Sequence, residues 1–241
     1  MLAWKRIFGA LLTGVALAAG NSAPVHAVFG GSSVNETTHA EEFASLLFFN
    51  TGQAVCGATY IGSSKAITTA HCVLTSDHQQ ELPPERMLLR AGTPKRSTGG
   101  SIANVRSVHV HPDYVRKAGG ANDIAVLVLD REPRGVRAAL LASESAFYED
   151  NQVGQFAGWG YTDSGSLPEI AHAVALKVRS HEYCATSFHE GMFTPSMLCA
   201  EAADDSGAGS IAKGDCGSPL LVRTERGLHV VGFASWFANP A

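Results

Sequence analysis

The chain has 241 residues, enough to bury a real hydrophobic core in one large or two small domains. Its formal net charge is -4 and no long run of one sign occurs, which argues against a nucleic-acid-binding tail and against a polybasic membrane patch. Charged residues make up 17% and there are 25 glycines, a composition that favours a loop-rich β protein over a helical one.

Residues 1–27 have the pattern of an export signal. Lys5 and Arg6 form a basic start, and an apolar stretch follows from Ile7 to Ala19. Val25-His26-Ala27 then offers small residues at the positions that a signal peptidase reads. Because the apolar stretch is shorter than the about 20 residues of a spanning helix, we favour secretion over a membrane anchor.

The cysteine count fits an oxidising compartment but leaves one thiol over. There are five cysteines, namely Cys56, Cys72, Cys184, Cys199 and Cys216. Four of them can form two bridges in an exported chain. The odd cysteine then either pairs with another chain or stays free and reactive.

After residue 27 the pattern is one of short β-type runs separated by Gly, Ser, Asn, Asp and Pro. Strands are predicted at 44–49, 59–69, 87–91, 102–110, 124–129, 152–159, 171–178, 219–222 and 229–236. A weak boundary lies at 132–137, where Pro133 and Gly135 interrupt the pattern. This spacing predicts an all-β protein built of barrels or a sandwich.

Three short motifs carry the chemistry. Thr-Thr-Ala-His-Cys at 68–72 follows Cys-Gly at 56–57, Asn-Asp-Ile-Ala at 122–125 opens an apolar strand, and Gly-Asp-Cys-Gly-Ser-Pro spans 214–219. In this order they resemble the chymotrypsin/trypsin peptidase family, whose triad is histidine, aspartate and serine. Cysteine stands here where that family has its serine.

The resemblance extends over nearly all of the chain after residue 27. Val-Phe-Gly-Gly at 28–31 is similar to the family's processed N-terminus, and Gly-Trp-Gly at 158–160 falls in the expected order. The resemblance implies two bridges, which pair Cys56 with Cys72 and Cys184 with Cys199.

The fold implied is all-β, with two perpendicular antiparallel six-stranded β-barrels. Residues 28–136 would form the N-terminal barrel and 137–241 the C-terminal one, together making one peptidase domain. The family continues past the position of Ala241 with a last strand and a helix, so the second barrel is expected to be truncated at its C-terminus.

The resemblance also implies the role of each site residue. His71 would be the general base and then the general acid, and Asp123 would hold its tautomer. The backbone N–H groups of Gly214 and Cys216 would form the oxyanion hole. No metal site and no cofactor is expected.

Cys216 is both the residue at the nucleophile position and the cysteine left over by the bridge count. In one interpretation it is a working nucleophile, since a thiolate paired with an imidazolium attacks carbonyls readily. In a second, cysteine has replaced serine and largely disables cleavage, because sulfur is larger and its bonds are longer. In a third, the fold serves as a non-catalytic binding module.

The activation pair implied by the resemblance is Val28 and Asp215. Cleavage after Ala27 would free the Val28 ammonium, which would turn inward and pair with the Asp215 carboxylate. Cleavage after Ala18 would instead leave residues 19–27 as a short propeptide.

Four residues match the family's substrate-binding positions, namely Ser210, Ser235, Trp236 and Phe237. Ser210 stands where trypsin-like enzymes place an aspartate for Arg or Lys, so a basic preference is not expected. The Phe237 ring would crowd the pocket, which favours small or medium apolar side chains.

The sequence therefore predicts a secreted endopeptidase, extracellular or periplasmic, that hydrolyses peptide bonds. Its partners would be protein or peptide substrates and proteinaceous inhibitors. We expect a monomer that binds neither nucleic acid nor, after signal removal, a membrane.

Overall fold

The computed structural model describes residues 31–34, 44–117, 119–162, 165–204 and 209–237. The predicted signal at 1–27 and the predicted N-terminus at Val28 lie outside these ranges. The described chain forms thirteen strands and one α-helix, α1. In chain order they are β1 Ser32–Ser33, β2 Ala44–Phe49, β3 Ala54–Gly62, β4 Lys65–Thr68, β5 Met87–Ala91, β6 Ser101–Val110, β7 Ala125–Leu129, β8 Leu140–Leu141, β9 Val153–Gly158, β10 His172–Val178, α1 His181–Ser187, β11 Ala200–Ala202, β12 Pro219–Thr224 and β13 Gly227–Phe233. None of the helical turns in these ranges has the length and apolar character needed to cross a bilayer.

The first half of the chain closes into a six-stranded barrel. Its strands follow the order β2-β3-β4-β7-β6-β5, and every neighbouring pair is antiparallel. Strands β5 and β7 alternate buried with partly buried residues, which turns every second side chain into the barrel. Leu47, Met87, Leu89 and Leu127 are fully buried there and form its core.

The second half of the chain, together with β1 from the first half, builds a seven-stranded sheet. Its order is β1-β10-β9-β12-β13-β8, with β11 paired to β10. All of these pairs are antiparallel except β8 with β13. Phe156, Leu176, Leu220 and Val231 pack its core. The predicted all-β class with two β units is confirmed, and the short strands β1, β8 and β11 enlarge the second sheet.

Each half of the chain contains one disulfide, and the pairing is the one that the family resemblance implied. Cys56 on β3 is bonded to Cys72, and Cys184 in α1 is bonded to Cys199. The first bridge fixes the turn that follows β4 to the barrel wall. The second ties the short helix to the segment just before β11.

The two halves meet where β3 touches the segment that precedes β12. Leu46 on β2 packs in one apolar cluster with Ala157 and Trp159 of the second half. A side-chain carbon added to Gly57 would collide with Ser218, so the two backbones are in direct contact. This contact positions the chain around residue 216 against the first barrel.

Candidate active site

His71 lies in a short 3₁₀ turn, Ala70–Val73, directly after β4. Its neighbours Ala70, Cys72 and Val73 are buried, while the His71 side chain is 23% exposed. The disulfide through Cys72 fixes the turn from the other side. The ring is therefore held at the edge of the first barrel and faces the second half.

Asp123 lies just before β7 and is hydrogen-bonded to His71 twice. The ring Nδ1 of His71 donates to Asp123 Oδ2 at 2.7 Å, and the His71 backbone N–H donates to Oδ1 at 2.9 Å. The hydroxyl of Ser235 also donates to Oδ2, at 2.5 Å. Burial would raise the pKa of Asp123, but the hydrogen bonds from His71 and Ser235 and the charge of His71 bring it below its usual value. The carboxylate therefore stays ionised and orients the imidazole.

The loop from 214 to 218 is fixed to both halves by backbone hydrogen bonds. Gly57 N–H donates to Cys216 O at 2.7 Å, and Gly217 N–H donates to Ala234 O at 2.8 Å. Gly217 has φ +81°, and a Cβ there would collide with Gly57 O, so only glycine fits. These contacts fix the position of the backbone from which the Cys216 side chain extends.

Among the described cysteines, Cys216 alone has a free thiol, and it is half-buried. Its Sγ donates to Ser235 O at 3.7 Å. Ser235 therefore contacts the sulfur through its carbonyl and Asp123 through its hydroxyl. Ser235, which the sequence placed only in substrate binding, thus links two of the three residues predicted for the triad, Asp123 and Cys216.

The pKa of His71 responds to both of its predicted partners. Burial lowers the pKa of His71, but hydrogen bonding and charge from Asp123 and Cys216 outweigh that effect and raise the pKa to about 10. The ring therefore holds its second proton at neutral pH and is an imidazolium. Such a cation can stabilise a thiolate and deliver a proton to a leaving group.

The predicted oxyanion donors lie in the same loop. Gly214 has φ +94°, a conformation that glycine adopts without strain. In the described part of the chain, the amides of Gly214 and Cys216 donate to no protein acceptor. Both N–H groups are therefore available for an oxygen that carries negative charge.

Asp215 is fully buried directly before the thiol. Its carboxylate accepts from Gly160 N–H at 2.8 Å and from Ala212 N–H at 2.9 Å. Burial outweighs these two hydrogen bonds and raises the pKa of Asp215 to about 6. The structure thus contains a carboxylate that a nearby cation would stabilise, and its predicted partner, Val28, lies outside the described residues.

The four predicted substrate-binding residues share one cavity of about 950 Å³. Ser210, Ser235, Trp236 and Phe237 all line it, and Asp123 borders it as well. The cavity therefore lies beside the His71–Asp123 pair, and its position suits a substrate side chain.

One polar side chain near the site, that of His78, is not indicated by the sequence pattern. The ring of His78 lies 6.4 Å from that of His71, centroid to centroid, and the Tyr114 hydroxyl holds His78 Nδ1 at 3.1 Å. Arg116 donates to the His78 carbonyl at 3.0 Å. Nothing in the local sequence marks His78, because the groups that hold it come from a distant part of the chain.

One cluster of metal-ligand residue types lies at the site. The sulfurs of Cys56 and Cys72 and a ring nitrogen of His71 all lie within 4.8 Å of one another. Both sulfurs are already bonded to each other, and a metal site needs thiolates instead. The cluster is therefore a disulfide beside an imidazole and does not form a metal centre.

Comparison with known proteins identifies similar chains over nearly the whole of this length. The family model described as Trypsin matches residues 28–241. Trypsin, alkaline C, of Manduca sexta is 31% identical over 96% of this chain and 89% of its own. Trypsin of Saccharopolyspora erythraea is 28% identical over 87% of this chain and 86% of its own. Human granzyme M is 29% identical, with coverages of 86% and 79%.

Proposed function

Because the chain belongs to the trypsin family, we propose that it is an endopeptidase whose triad is His71, Asp123 and Cys216. The observation that carries this proposal is the double hydrogen bond of Asp123 to His71, whose ring also interacts with Cys216. A histidine that had only a structural role would not need its backbone and its ring fixed by one buried carboxylate. The arrangement has the parts of a nucleophile, a proton carrier and its support.

In the proposed acylation step, the sulfur of Cys216 attacks the scissile carbonyl after its proton has passed to His71. The oxyanion accepts hydrogen bonds from the N–H groups of Gly214 and Cys216. His71 then gives the proton to the departing amine, and an acyl thioester remains on Cys216. Asp123 stabilises the imidazolium throughout and is not itself protonated.

In the deacylation step, His71 accepts a proton from water as the water attacks the thioester. The same two amides stabilise the second oxyanion, and the sulfur leaves with the proton that His71 returns. Each amide hydrogen bond contributes about 10²–10³ in turnover in enzymes of this type. Collapse of the intermediate restores free Cys216.

We propose a preference for uncharged side chains before the scissile bond, from the residue at position 210. Ser210 places a hydroxyl where an acidic residue would be needed to bind Arg or Lys. Trp236 and Phe237 supply apolar surface to the same cavity, and Phe237 is 42% exposed. We infer a preference for small or medium apolar residues.

Activation is proposed to follow from the burial of Asp215. Once residues 1–27 are removed, the new ammonium of Val28 would pair with this carboxylate. Pairing would stabilise the charged form and order the loop that contains Cys216. In this scheme residues 28–136 and 137–241 form the two halves of one peptidase domain.

Export fits the disulfides and the predicted signal. We infer a secreted monomer whose partners are protein or peptide substrates and proteinaceous inhibitors. Two disulfides favour an oxidising compartment.

A peptide-library assay on the chain that begins at Val28 tests this function. We expect cleavage after apolar residues, abolished in His71→Ala and in Cys216→Ala. Cys216→Ser separates the alternatives, because a rate raised by orders of magnitude would mean that cysteine disables a serine peptidase. No cleavage by either the unmodified chain or the Cys216→Ser variant would leave a binding module, and strong Arg or Lys preference would overturn the specificity.

A further inference from the structure

The ring of His71 lies close to the Cys56–Cys72 disulfide as well as interacting with Cys216. Its Nε2 lies 3.7 Å from Cys72 Sγ, and the sulfurs of Cys56 and Cys72 lie within 4.8 Å of a nitrogen of this ring. Cys216 interacts with the same ring. One imidazole is therefore shared by a free thiol and a disulfide, an arrangement that a serine at 216 would not create.

The backbone brings Cys216 next to the residue that follows Cys56. Gly57 N–H donates to Cys216 O at 2.7 Å. A side-chain carbon on Gly57 would collide with Ser218, so the loop 216–218 packs on β3 with nothing between them. Cys216, in the turn before β12, therefore lies beside the residue that follows Cys56 on β3.

The other half of this disulfide, Cys72 Sγ, has two hydrogen-bond donors. The hydroxyl of Thr69 lies 2.9 Å from it and His71 Nε2 lies 3.7 Å from it. Thr69 is fully buried, so water does not compete for its hydroxyl. A thiolate that formed on Cys72 would accept a hydrogen bond from Thr69 and could take a proton from His71. Donors to the departing sulfur make it a better leaving group.

From these contacts we propose a further activity of the same residues, an intramolecular thiol–disulfide exchange in which Cys216 attacks Cys56. The Cys216 Sγ–Cys56 Sγ bond forms and the Cys56 Sγ–Cys72 Sγ bond breaks. Cys72 leaves as a thiolate and takes the proton that His71 had received from Cys216. The number of disulfides and thiols is unchanged, so no oxidant or reductant is consumed.

Exchange blocks the peptidase reversibly. In the exchanged form the sulfur of Cys216 is bonded and has no lone thiol with which to attack a carbonyl. Attack by Cys72 on the new bond restores the original pairing, and a small thiol accelerates the return by opening either bridge. The ratio of the two forms sets the fraction of competent sites.

The second disulfide provides an internal control. Cys184 is fully buried in the second half, and within the described residues its Sγ has only the Arg179 carbonyl as a hydrogen-bond neighbour, at 3.6 Å. A carbonyl cannot donate to a departing thiolate. The Cys184–Cys199 pair is therefore expected to stay intact while the first bridge exchanges.

Disulfide mapping on the unmodified chain tests the exchange without reference to peptidase activity. The protein is incubated at mildly alkaline pH without added oxidant, quenched in acid with a maleimide, and digested for mass spectrometry. We expect label on Cys72 and a Cys56–Cys216 peptide to accumulate with time and then reach a constant ratio. Label found only on Cys216 at every time point would overturn the proposal.

Two variants sharpen this result. Thr69→Val keeps the shape of the side chain but removes the donor to Cys72, and should slow exchange about 10- to 100-fold, the effect of a hydrogen bond to a charged group. Cys216→Ser should show Cys56–Cys72 alone. Exchange at the original rate in Thr69→Val would contradict the assigned leaving group, and a Cys216 bridge to Cys184 or Cys199 would show scrambling instead.

Discussion

At the scale of single residues, Asp123 receives three hydrogen bonds, and two of them come from His71. The third comes from Ser235, whose carbonyl also accepts from the Cys216 thiol. Ser235 thus contacts both the carboxylate that orients the imidazole and the sulfur of Cys216. Removing one partner is therefore expected to disturb the others.

Substitution of Asp123 by asparagine should lower peptidase turnover by about 10⁴-fold, because the amide holds the wrong tautomer of His71. The measurement is turnover on a peptide substrate at saturating concentration. Asp113→Asn is the matched control, because it makes the same chemical change at a nearby exposed position. A loss in Asp123→Asn no larger than in the control would remove Asp123 from the triad.

The ionisation of His71 gives a second test. Its folded pKa is raised from 6.5 to about 10, so the stability it contributes is fully present below about pH 6.5 and is lost as the pH rises through about 10. An NMR titration of the ring nitrogens should show the imidazolium throughout neutral pH. In Asp123→Asn the midpoint should fall. A midpoint near 6.5 in the unmodified chain would contradict the proposed interaction with Asp123 and Cys216.

At the scale of structural elements, the site depends on the contact between β3 and the loop 216–218. Gly57 leaves no room for a side chain against Ser218, and its N–H holds the Cys216 carbonyl. The first barrel thereby positions a loop that belongs to the second half. Small changes in this contact should move the sulfur.

Gly57→Ala should displace Cys216 from His71 and lower its alkylation rate with iodoacetamide by about tenfold or more. Overpacking of this kind typically costs about 1–3 kcal/mol of stability. Gly191→Ala is the control, because it introduces only left-handed strain, about 1–2 kcal/mol, in open space. Equal alkylation rates in the two variants would show that the contact does not position the thiol.

Most strands could be predicted because apolar residues alternate in runs between turn residues. The pattern predicts one strand at 59–69, whereas the structure has two, β3 and β4, with a turn at Ser63 and Ser64. Both serines adopt positive φ, 50° and 54°, which their residue type does not signal. The helix α1, with seven residues, is too short to show a helical period.

The candidate site could be predicted where short motifs fix the local chain. His71, Asp123 and Cys216 each lie in such a motif, and the structure brings them together. The Ser235 hydroxyl bond to Asp123 and the nearness of His78 to His71 come from contacts between distant segments. A local sequence pattern contains no information about such contacts.

At the scale of the whole molecule, the carboxylate of Asp215 is the group that we propose pairs with the Val28 ammonium. It is fully buried and its pKa is raised from 3.8 to about 6. Without a cation beside it, the folded state holds its proton more tightly than the unfolded state. The stability gained in this way is complete below about pH 3.8 and is lost as the pH rises through about 6.

Removal of residues 1–27 should therefore stabilise the fold more at pH 8 than at pH 4. At pH 4 Asp215 is protonated and cannot pair, whereas at pH 8 the Val28 ammonium would offset the cost of its charge. Urea unfolding of the full and shortened chains at both pH values measures this difference. Asp215→Asn should abolish the pH dependence, and a difference that is equal at both pH values would exclude the pair.

The central claim is that the sulfur of residue 216 forms the covalent bond to substrate. Intact-mass spectrometry of the chain that begins at Val28, acid-quenched during reaction with an activated peptide ester, measures it directly. We predict an added acyl mass that maps to Cys216 and disappears in His71→Ala. An acyl group on another residue, or substrate turnover with Cys216 unmodified at every time point, would contradict the account.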